Sequence, residues 1–377
     1  MRINYYSALI SEKLLETLYK NKKPGLQAQV FNRLIVDGLI ENNVRITCYS
    51  NIPTSKELIN KIFMKVENEL YFKYYPIINI PILKDLFILL NTYFKTIKDL
   101  KKYDSLVCIC DVLSVTNALG AVLACKKLNR QCIGIITDIP KLIESNNLFL
   151  YLTDKIINCC TDYIFLTEPM NIVLNKGNKP YKIIEGLCNV VPINNNKTRI
   201  KSFVYAGSID KLNGINILVE AFKSIKTNYE LHIYGSGDYE KELIQITKDY
   251  KNIKFFGLIS HDEIQKIISN ASFLVNPRNT TNEMVKYSFP SKNMEYLASG
   301  TPFLCTKLPC FPNEYFQYLN LFESDDVNGI KKGIENILTE NYDILLEKAK
   351  KAQLFMLEHK NNKAQTKKIL SLIKEQK

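Results

Sequence analysis

The sequence predicts an α/β protein of two Rossmann-like domains, each a doubly wound parallel sheet, and three observations carry that prediction. Short apolar runs alternate with helical patterns from end to end, the signature of βα units feeding a parallel sheet. The series occurs twice, on either side of the polar, proline-containing stretch Val191-Pro-Ile-Asn-Asn-Asn-Lys197. A chain of 377 residues also exceeds what one ordinary core organises. Two facing domains of this kind leave a cleft at the carboxyl ends of their strands, the default place for a nucleotide or phosphate ligand.

In chain order, Met1-Arg-Ile-Asn-Tyr-Tyr6 reads as a short first strand, followed by a polar stretch before Pro24-Gly25. Further strands are expected near Val44–Cys48, Ser105–Cys110, Gln131–Thr137, Tyr163–Thr167 and Lys182–Glu185. Helices fit between them at Leu26–Glu41, Leu83–Lys102, Ser114–Leu128 and Asn147–Cys159. Past the seam, expected near Cys188–Arg199, strands fall near Ser202–Ala206, Glu230–Tyr234, Ile253–Phe256, Ser272–Asn276 and Phe303–Thr306. From Tyr342 the pattern is helical to the end, with Ile369, Leu370 and Ile373 on one face of a Lys-rich helix. The expected organisation is a first domain over 1–190, a second over 199–355, and a terminal helix over 356–377 packing back toward the first.

Composition excludes disorder for most of the length: 46% of residues are hydrophobic and 23% charged. The net charge of +12 points to an anionic partner, whether nucleic acid, a membrane surface or a phosphate-bearing substrate. The ten cysteines include no CxxC pair, so zinc ribbons and thioredoxin-type motifs are unsupported. Cys108 and Cys110 sit in an apolar run, where cysteine behaves as a small buried hydrophobe. Reduced thiols in a cytosolic protein are expected.

The segment Leu83–Lys102 carries its apolar residues at 83, 86, 87, 90, 93, 94, 97 and 100, one helical stripe. Lys84, Asp85, Asn91, Lys95, Lys98 and Asp99 interrupt it, far short of the roughly 18 unbroken apolar residues a membrane span needs. Such a stripe is ordinarily a core face. The sharper reading lays it as a basic amphipathic helix on an anionic membrane.

Only three histidines occur, His232, His261 and His359, in contexts that look structural, so a Ser-His-Asp or Cys-His device is not expected. Ser260-His-Asp-Glu263 reads as a capping box. Neither an Asp-x-Asp pair nor a P-loop is present, and no metal is expected. Glycines do follow three strands of the second half, at Gly207, Gly235 and Gly257. Glycine there lets backbone N–H groups approach a phosphate or base edge.

The densest segment runs from Val275-Asn-Pro-Arg278 to Gly300. Pro290 suits the first turn of a new helix and Gly300 its cap. Lys292 and Glu295 share one face of that helix. The helix start, with Ser291 at its mouth, offers free N–H groups and positive dipole charge. Adding Arg278, Lys286 and Lys292 makes a metal-free diphosphate site, with Glu295 able to accept two hydroxyl hydrogen bonds from a ribose. The bland reading is a surface Lys–Glu pair.

Tyr205-Ala-Gly-Ser-Ile-Asp-Lys-Leu-Asn-Gly214, Tyr234-Gly-Ser-Gly-Asp238, Phe256-Gly-Leu-Ile-Ser260 and Phe289-Pro-Ser-Lys-Asn-Met-Glu-Tyr-Leu-Ala-Ser-Gly-Thr-Pro302 resemble, in order and spacing, the donor domain of glycosyltransferase family 4. The likeness is nearest to bacterial members that build capsular and other surface polysaccharides. It is strong over about 200–320 and thinner before that. There Pro24-Gly25-Leu26-Gln27 sits where the family has its first glycine loop, and Thr137-Asp138-Ile139-Pro140 lies at an acceptor-side loop.

The resemblance implies the GT-B fold, with the active site between two Rossmann-like domains. It also implies transfer of a sugar from a UDP- or GDP-linked donor, retaining anomeric configuration and using no metal. Glu295 matches the second glutamate of the family's Glu-x7-Glu motif, which holds the donor ribose, while Tyr287 stands where the first would be. Ser208 and Asn213 stand where the family commonly has Arg and Lys on the diphosphate, with Lys211, Arg278, Lys286 and Lys292 left to supply that charge. Asp138 is the candidate for orienting the acceptor; otherwise it is a turn residue before Pro140.

The expected partners are a nucleotide-sugar donor, a glycan or lipid-linked acceptor and the inner face of an anionic membrane. No recognition motif supports nucleic acid. The alternatives are a GT-B sugar-nucleotide epimerase or hydrolase and a non-catalytic nucleotide-sugar-binding scaffold.

Overall fold

The computed structural model describes residues 1–19, 26–53, 63–80, 82–188 and 199–373. The chain divides into two compact units, Met1–Leu187 with Asn362–Lys377, and Cys188–Asn361. Most of the proline-containing seam, and Gly25, lie outside the described residues.

The first unit holds β1 (Arg2–Ser7), β2 (Arg45–Ser50), β3 (Phe63–Met64), β4 (Phe72–Tyr74), β5 (Ile77–Ile78), β6 (Leu106–Asp111), β7 (Cys132–Ile136), β8 (Asp162–Phe165) and β9 (Tyr181–Ile183). Seven of these form one parallel sheet in the order β4-β2-β1-β6-β7-β8-β9, and β3 and β5 pair separately as an antiparallel ribbon. The amino-terminal strand is interior, paired with β2 on one side and β6 on the other. Strand order reverses there, which makes the carboxyl ends of β1 and β6 this unit's topological switch point. Every residue of β6 and β7 is buried, as expected of central parallel strands covered on both faces.

The terminal helix Asn362–Leu370 is part of this unit, and Ile369 and Leu372 join the core formed by Ile3, Val107, Ile133 and the helix Leu26–Glu41. The two helices approach at Gly38, where a side chain would strike the Asn362 carbonyl and Thr366. Asn42 Nδ2 donates to Lys363 O and Thr366 Oγ1, both at 2.9 Å. The long helix before it, Tyr342–His359, belongs wholly to the second unit, so the junction falls at 361–362 rather than at 355–356.

The helix Leu83–Lys102 meets the core-face reading only in part: Leu100 is buried and Phe87, Tyr93 and Ile97 are partly covered, but the other four stripe residues face outward. Its buried residues are Ile88, Thr92, Thr96 and Leu100, while Leu83, Leu86, Leu90 and Phe94 are between 41% and 64% exposed. The cause is close helix packing. At Gly120, in the neighbouring helix Val115–Lys127, a Cβ would lie 2.7 Å from Leu89 O and 2.8 Å from Thr92 Cβ. Only small side chains fit that contact, so the large apolar ones are displaced outward. The buried threonines are satisfied: Thr92 Oγ1 lies 2.8 Å from Tyr75 Oη and 2.9 Å from Asn117 Oδ1, and Thr96 Oγ1 lies 2.7 Å from Tyr6 Oη.

The second unit holds β10 (Ile200–Ala206), β11 (Glu230–Tyr234), β12 (Ile253–Phe255), β13 (Ala271–Asn276), β14 (Phe303–Cys305) and β15 (Asn320–Leu321). They form one parallel sheet in the order β12-β11-β10-β13-β14-β15. The order reverses at β10 and β13, so this unit's switch point lies at Gly207 and Arg278, just past those two strands. Side chains alternate across the sheet. Phe203, Tyr205, Phe273 and Val275 face the helices Ile215–Lys223 and Val327–Thr339. Val204 and Leu274 face the helices Ser291–Ala298 and Tyr342–His359.

Candidate functional site

The site of the second unit is assembled by one short helix and two strand ends. Ser291–Ala298 lies against one sheet face, and Tyr296 pins it there: Tyr296 Oη accepts from Ala206 N at 2.7 Å, at the end of β10. Lys292 is four residues earlier and so shares that face of the helix. It reaches over the end of the sheet to Tyr205, whose ring belongs to the opposite face. Its ammonium lies 3.2 Å from Tyr205 Oη and 4.6 Å from the ring centroid. Gly207 makes that path, because any side chain there would occupy the position of Lys292 Nζ and Cε.

Charge is concentrated around that ammonium. Burial first, and then the neighbouring Arg278, lower the Lys292 pKa to about 8, with Asp210 and Glu295 opposing. Burial likewise lowers the pKa of Arg278, which also feels Cys310, Tyr205 and Asp210. Two half-buried cations side by side are unfavourable unless an anion joins them, which makes the place a ready anion site. One turn along, Glu295 accepts from Gln265 Nε2 at 3.1 Å and has its pKa raised by burial. His261, at the start of the helix His261–Asn270, acts on the same carboxylate, a neighbour that the sequence, which placed it in a cap, did not reveal.

A diphosphate bound at this point needs Lys292 charged. Above pH 8 its affinity is expected to fall by up to about tenfold per pH unit, with one proton taken up on binding. Titrations between about pH 7 and about pH 9 check this; a flat profile would exclude Lys292 as a contact.

Ser291 is exposed at the first turn of its helix, and Pro290 before it supplies no capping side chain. The helix start therefore has no side-chain cap, although Asn293 N already donates to Pro290 O at 3.0 Å. Gly207 and Gly235 behave otherwise than expected. Their N–H groups are already used in the sheet, Gly207 N donating to Tyr234 O and Gly235 N to Gly257 O, each at 2.8 Å. These glycines supply room rather than donors. Gly235, at φ +134°, presses on Gly207 O where a Cβ could not fit. Gly257, at φ +72°, borders open space.

Not every predicted cation joins the group. Lys211 pairs with Glu242 at 3.2 Å and lies over Tyr239, 5.5 Å from the ring centroid. Lys286 ends the 3-10 turn Glu283–Lys286 with an exposed side chain, and the charges acting on Lys292 are those of Arg278, Asp210 and Glu295. Ser208 and Asn213 are both tied to Asp210: Ser208 Oγ donates to Oδ2 at 2.6 Å, while Asn213 N and Nδ2 donate to Oδ1 at 2.9 Å. The two residues that stand where the family has cations are thus both bonded to a carboxylate, and the positive charge comes from Lys292 and Arg278.

In the first unit Asp138 follows β7, and burial raises its pKa. The adjacent strand end carries a second carboxylate that sequence reasoning missed. Asp111, the last residue of β6, is raised to about 6 by burial, with Asp138 adding repulsion. It accepts from Leu113 N and Ser114 Oγ, each at 3.1 Å. An aspartate closing an apolar strand was the available signal. The first-unit glycine loop at Gly25 lies outside the described residues.

His232 and the cap agree with their structural readings. His232 pairs with Glu230 at 2.7 Å within β11, and Ser260 and Glu263 form the reciprocal box.

Residues 191–354 match the family described as Glycosyl transferases group 1. No curated protein matches the chain in sequence. Solved structures match almost its whole length at low identity. A sucrose-phosphate synthase from Thermosynechococcus elongatus is 15% identical at a TM-score of 0.66, over 99% of this chain and 98% of that one. The lipopolysaccharide outer core galactosyltransferase WaaB is 14% identical at 0.65, over 99% of each. Anabaena HepE in complex with UDP is 12% identical at 0.67, over 98% of this chain and 99% of that one. The chain accordingly has the GT-B fold, and its residues 191–354 match the group 1 glycosyl transferase family.

Proposed function

We propose that the chain is a retaining, metal-independent glycosyltransferase of family 4. It moves a sugar from a nucleotide-diphosphate donor to a growing lipid-linked glycan of a capsular or other surface polysaccharide. The observation that carries the reading is the Lys292 ammonium laid across Gly207 beside Arg278 at the switch point of the second sheet. Negative charge develops on the leaving diphosphate as the glycosidic bond breaks, and preorganised cations and an uncapped helix start stabilise it without a metal. The departing phosphate can take the acceptor hydroxyl's proton, so this step needs no histidine base. Glu295 is then the ribose ligand, and Asp138 orients the acceptor. HepE has been solved with UDP-glucose, and Staphylococcus aureus TarM with UDP and an α-GlcNAc-glycerol ligand, ligands of the chemistry proposed here.

The test is incubation with a panel of UDP- and GDP-sugars while nucleotide release is followed with and without EDTA. Turnover that persists in EDTA is expected, and turnover that requires metal contradicts the mechanism. Free sugar or epimer without an acceptor would instead mark an epimerase or hydrolase, and tight binding without turnover on any acceptor a scaffold.

A lipid-linked acceptor brings the chain to an anionic membrane at its cytoplasmic face, and the outward stripe of Leu83, Leu86, Leu90 and Phe94 suits that surface. No described helix is long and apolar enough to cross a membrane. Lys95, Lys98, Lys101 and Lys102 are exposed on the same helix, giving apolar insertion and anionic attraction together. The double variant Leu86→Glu/Phe94→Glu is expected to bind anionic vesicles about ten- to a hundredfold more weakly. Both positions are exposed, so its folding stability should be close to unchanged. Sedimentation with vesicles checks this, and undiminished binding would remove the helix from the membrane contact.

A further inference from the structure

The first unit contains a cluster of thiols with no part in the donor site. Cys110 ends β6 but for one residue, Cys132 opens β7 and Cys160 lies two residues before β8, so three consecutive strands each bring one sulfur. All three are buried, and their Sγ atoms lie within 4.8 Å of one another. Cys110 and Cys160 are 4.0 Å apart. Gly134, opposite Cys110 on β7, creates the space, because a Cβ there would meet Cys160 Sγ at 2.8 Å. Cys125, on the helix Val115–Lys127 above, adjoins Cys132 and Cys108.

Metal–thiolate bonds of about 2.3 Å place sulfurs around one cation roughly 3.8–4.0 Å apart in tetrahedral or trigonal geometry. The observed spacing is near that before any ion enters. The sulfurs come with no oxygen or nitrogen ligand among them, and an all-sulfur set selects a thiophilic cation. Four thiolates around a divalent ion leave two negative charges, and two cations stand close. Lys179 Nζ donates to Cys160 O at 2.6 Å and Asn158 O at 2.8 Å, and Arg130 acts on Cys125. Asp162 is the opposing charge beside Cys160.

We propose that Cys110, Cys132 and Cys160, with Cys125 drawn in from beside Cys132 as fourth ligand, hold one thiophilic divalent cation, physiologically zinc, as a clip across β6, β7 and the turn into β8. Binding breaks four S–H bonds and forms four metal–sulfur bonds; four protons leave to solvent and no electrons move. The four ligands lie 15, 7 and 28 residues apart along the chain, which is why a search for CxxC spacing passes over them.

The test is titration of the reduced, full-length chain with Cd2+ under anaerobic conditions. A thiolate-to-cadmium charge-transfer band saturating at one equivalent, with four protons released, is the expected result. Cys110→Ser and Cys160→Ser should each weaken binding at least roughly tenfold, whereas Cys305→Ser, in the other unit, should leave it unchanged. Should the serine variants fail to fold, X-ray absorption of the zinc-loaded unmodified chain decides: sulfur-only scattering at about 2.3 Å is expected. Absence of stoichiometric binding, nitrogen or oxygen ligands at the metal, or equal loss in Cys305→Ser overturns the proposal.

Discussion

Replacing Lys292 by methionine is expected to lower kcat/KM for the sugar donor by about 10²–10³-fold, the usual cost of removing one preorganised charge-stabilising donor. Methionine keeps an unbranched apolar stem over Gly207 and against the Tyr205 ring, so packing survives while the ammonium is lost. The fall should sit mainly in kcat, because the ammonium acts most strongly on charge that develops as the diphosphate leaves. Arg278 remains in place and limits the loss in ground-state binding. Steady-state kinetics on folded variant check this. A variant with a raised KM and unchanged kcat would make Lys292 a binding contact only.

The second large effect is expected at Glu295. Its carboxylate is half-buried, one turn from Lys292, and has only the Gln265 amide as a hydrogen-bond partner among the described contacts. Two ribose hydroxyls would complete it. Glu295→Ala should weaken donor affinity by about 1.5–3 kcal/mol, the value for hydrogen bonds to a charged group, or about 10–150-fold in Kd. A nucleotide lacking a ribose hydroxyl supplies the control. It should bind the unaltered chain more weakly than the ribonucleotide does, yet show little discrimination in Glu295→Ala. Calorimetry with the two nucleotides on both proteins reads this, and unchanged affinity in the variant would sink the ribose assignment.

Much of the second unit was legible because its signals are local. Glu230–Tyr234 occupies the predicted strand, and the strand expected at Ser202–Ala206 runs Ile200–Ala206. Alternating apolar residues bounded by glycine turns define such strands without help from tertiary context. The cluster of Lys292, Arg278 and Glu295 was legible for the same reason: a proline, a helix and a strand end adjoin in sequence.

What was illegible depended on partners distant in the chain. The helix Leu83–Lys102 has a clear apolar stripe, yet its inward face was decided by the close approach of Gly120, which selected Thr92 and Thr96. Hydrophobic periodicity cannot register that steric choice. Lys211 looked like a phosphate ligand until Glu242, on another helix, was brought beside it. Ser208 and Asn213 look like empty substitutions in sequence, and only folding shows both tethered to Asp210. At Gly207 the N–H is taken by the sheet, and the missing side chain matters instead. Asp111 and the thiol cluster arise from parallel pairing of strands more than twenty residues apart, a contact that no local pattern announces.

The Lys292, Arg278 and Glu295 cluster of the second unit is expected to hold a nucleoside diphosphate without a metal. Equilibrium titration of the full chain with UDP and with GDP, in EDTA, tests it most directly. Saturable binding of at least one of them at a single site is expected, weakened in Lys292→Met and in Glu295→Ala. Binding of neither nucleotide, binding that appears only when a divalent metal is restored, or binding untouched by both substitutions would contradict it.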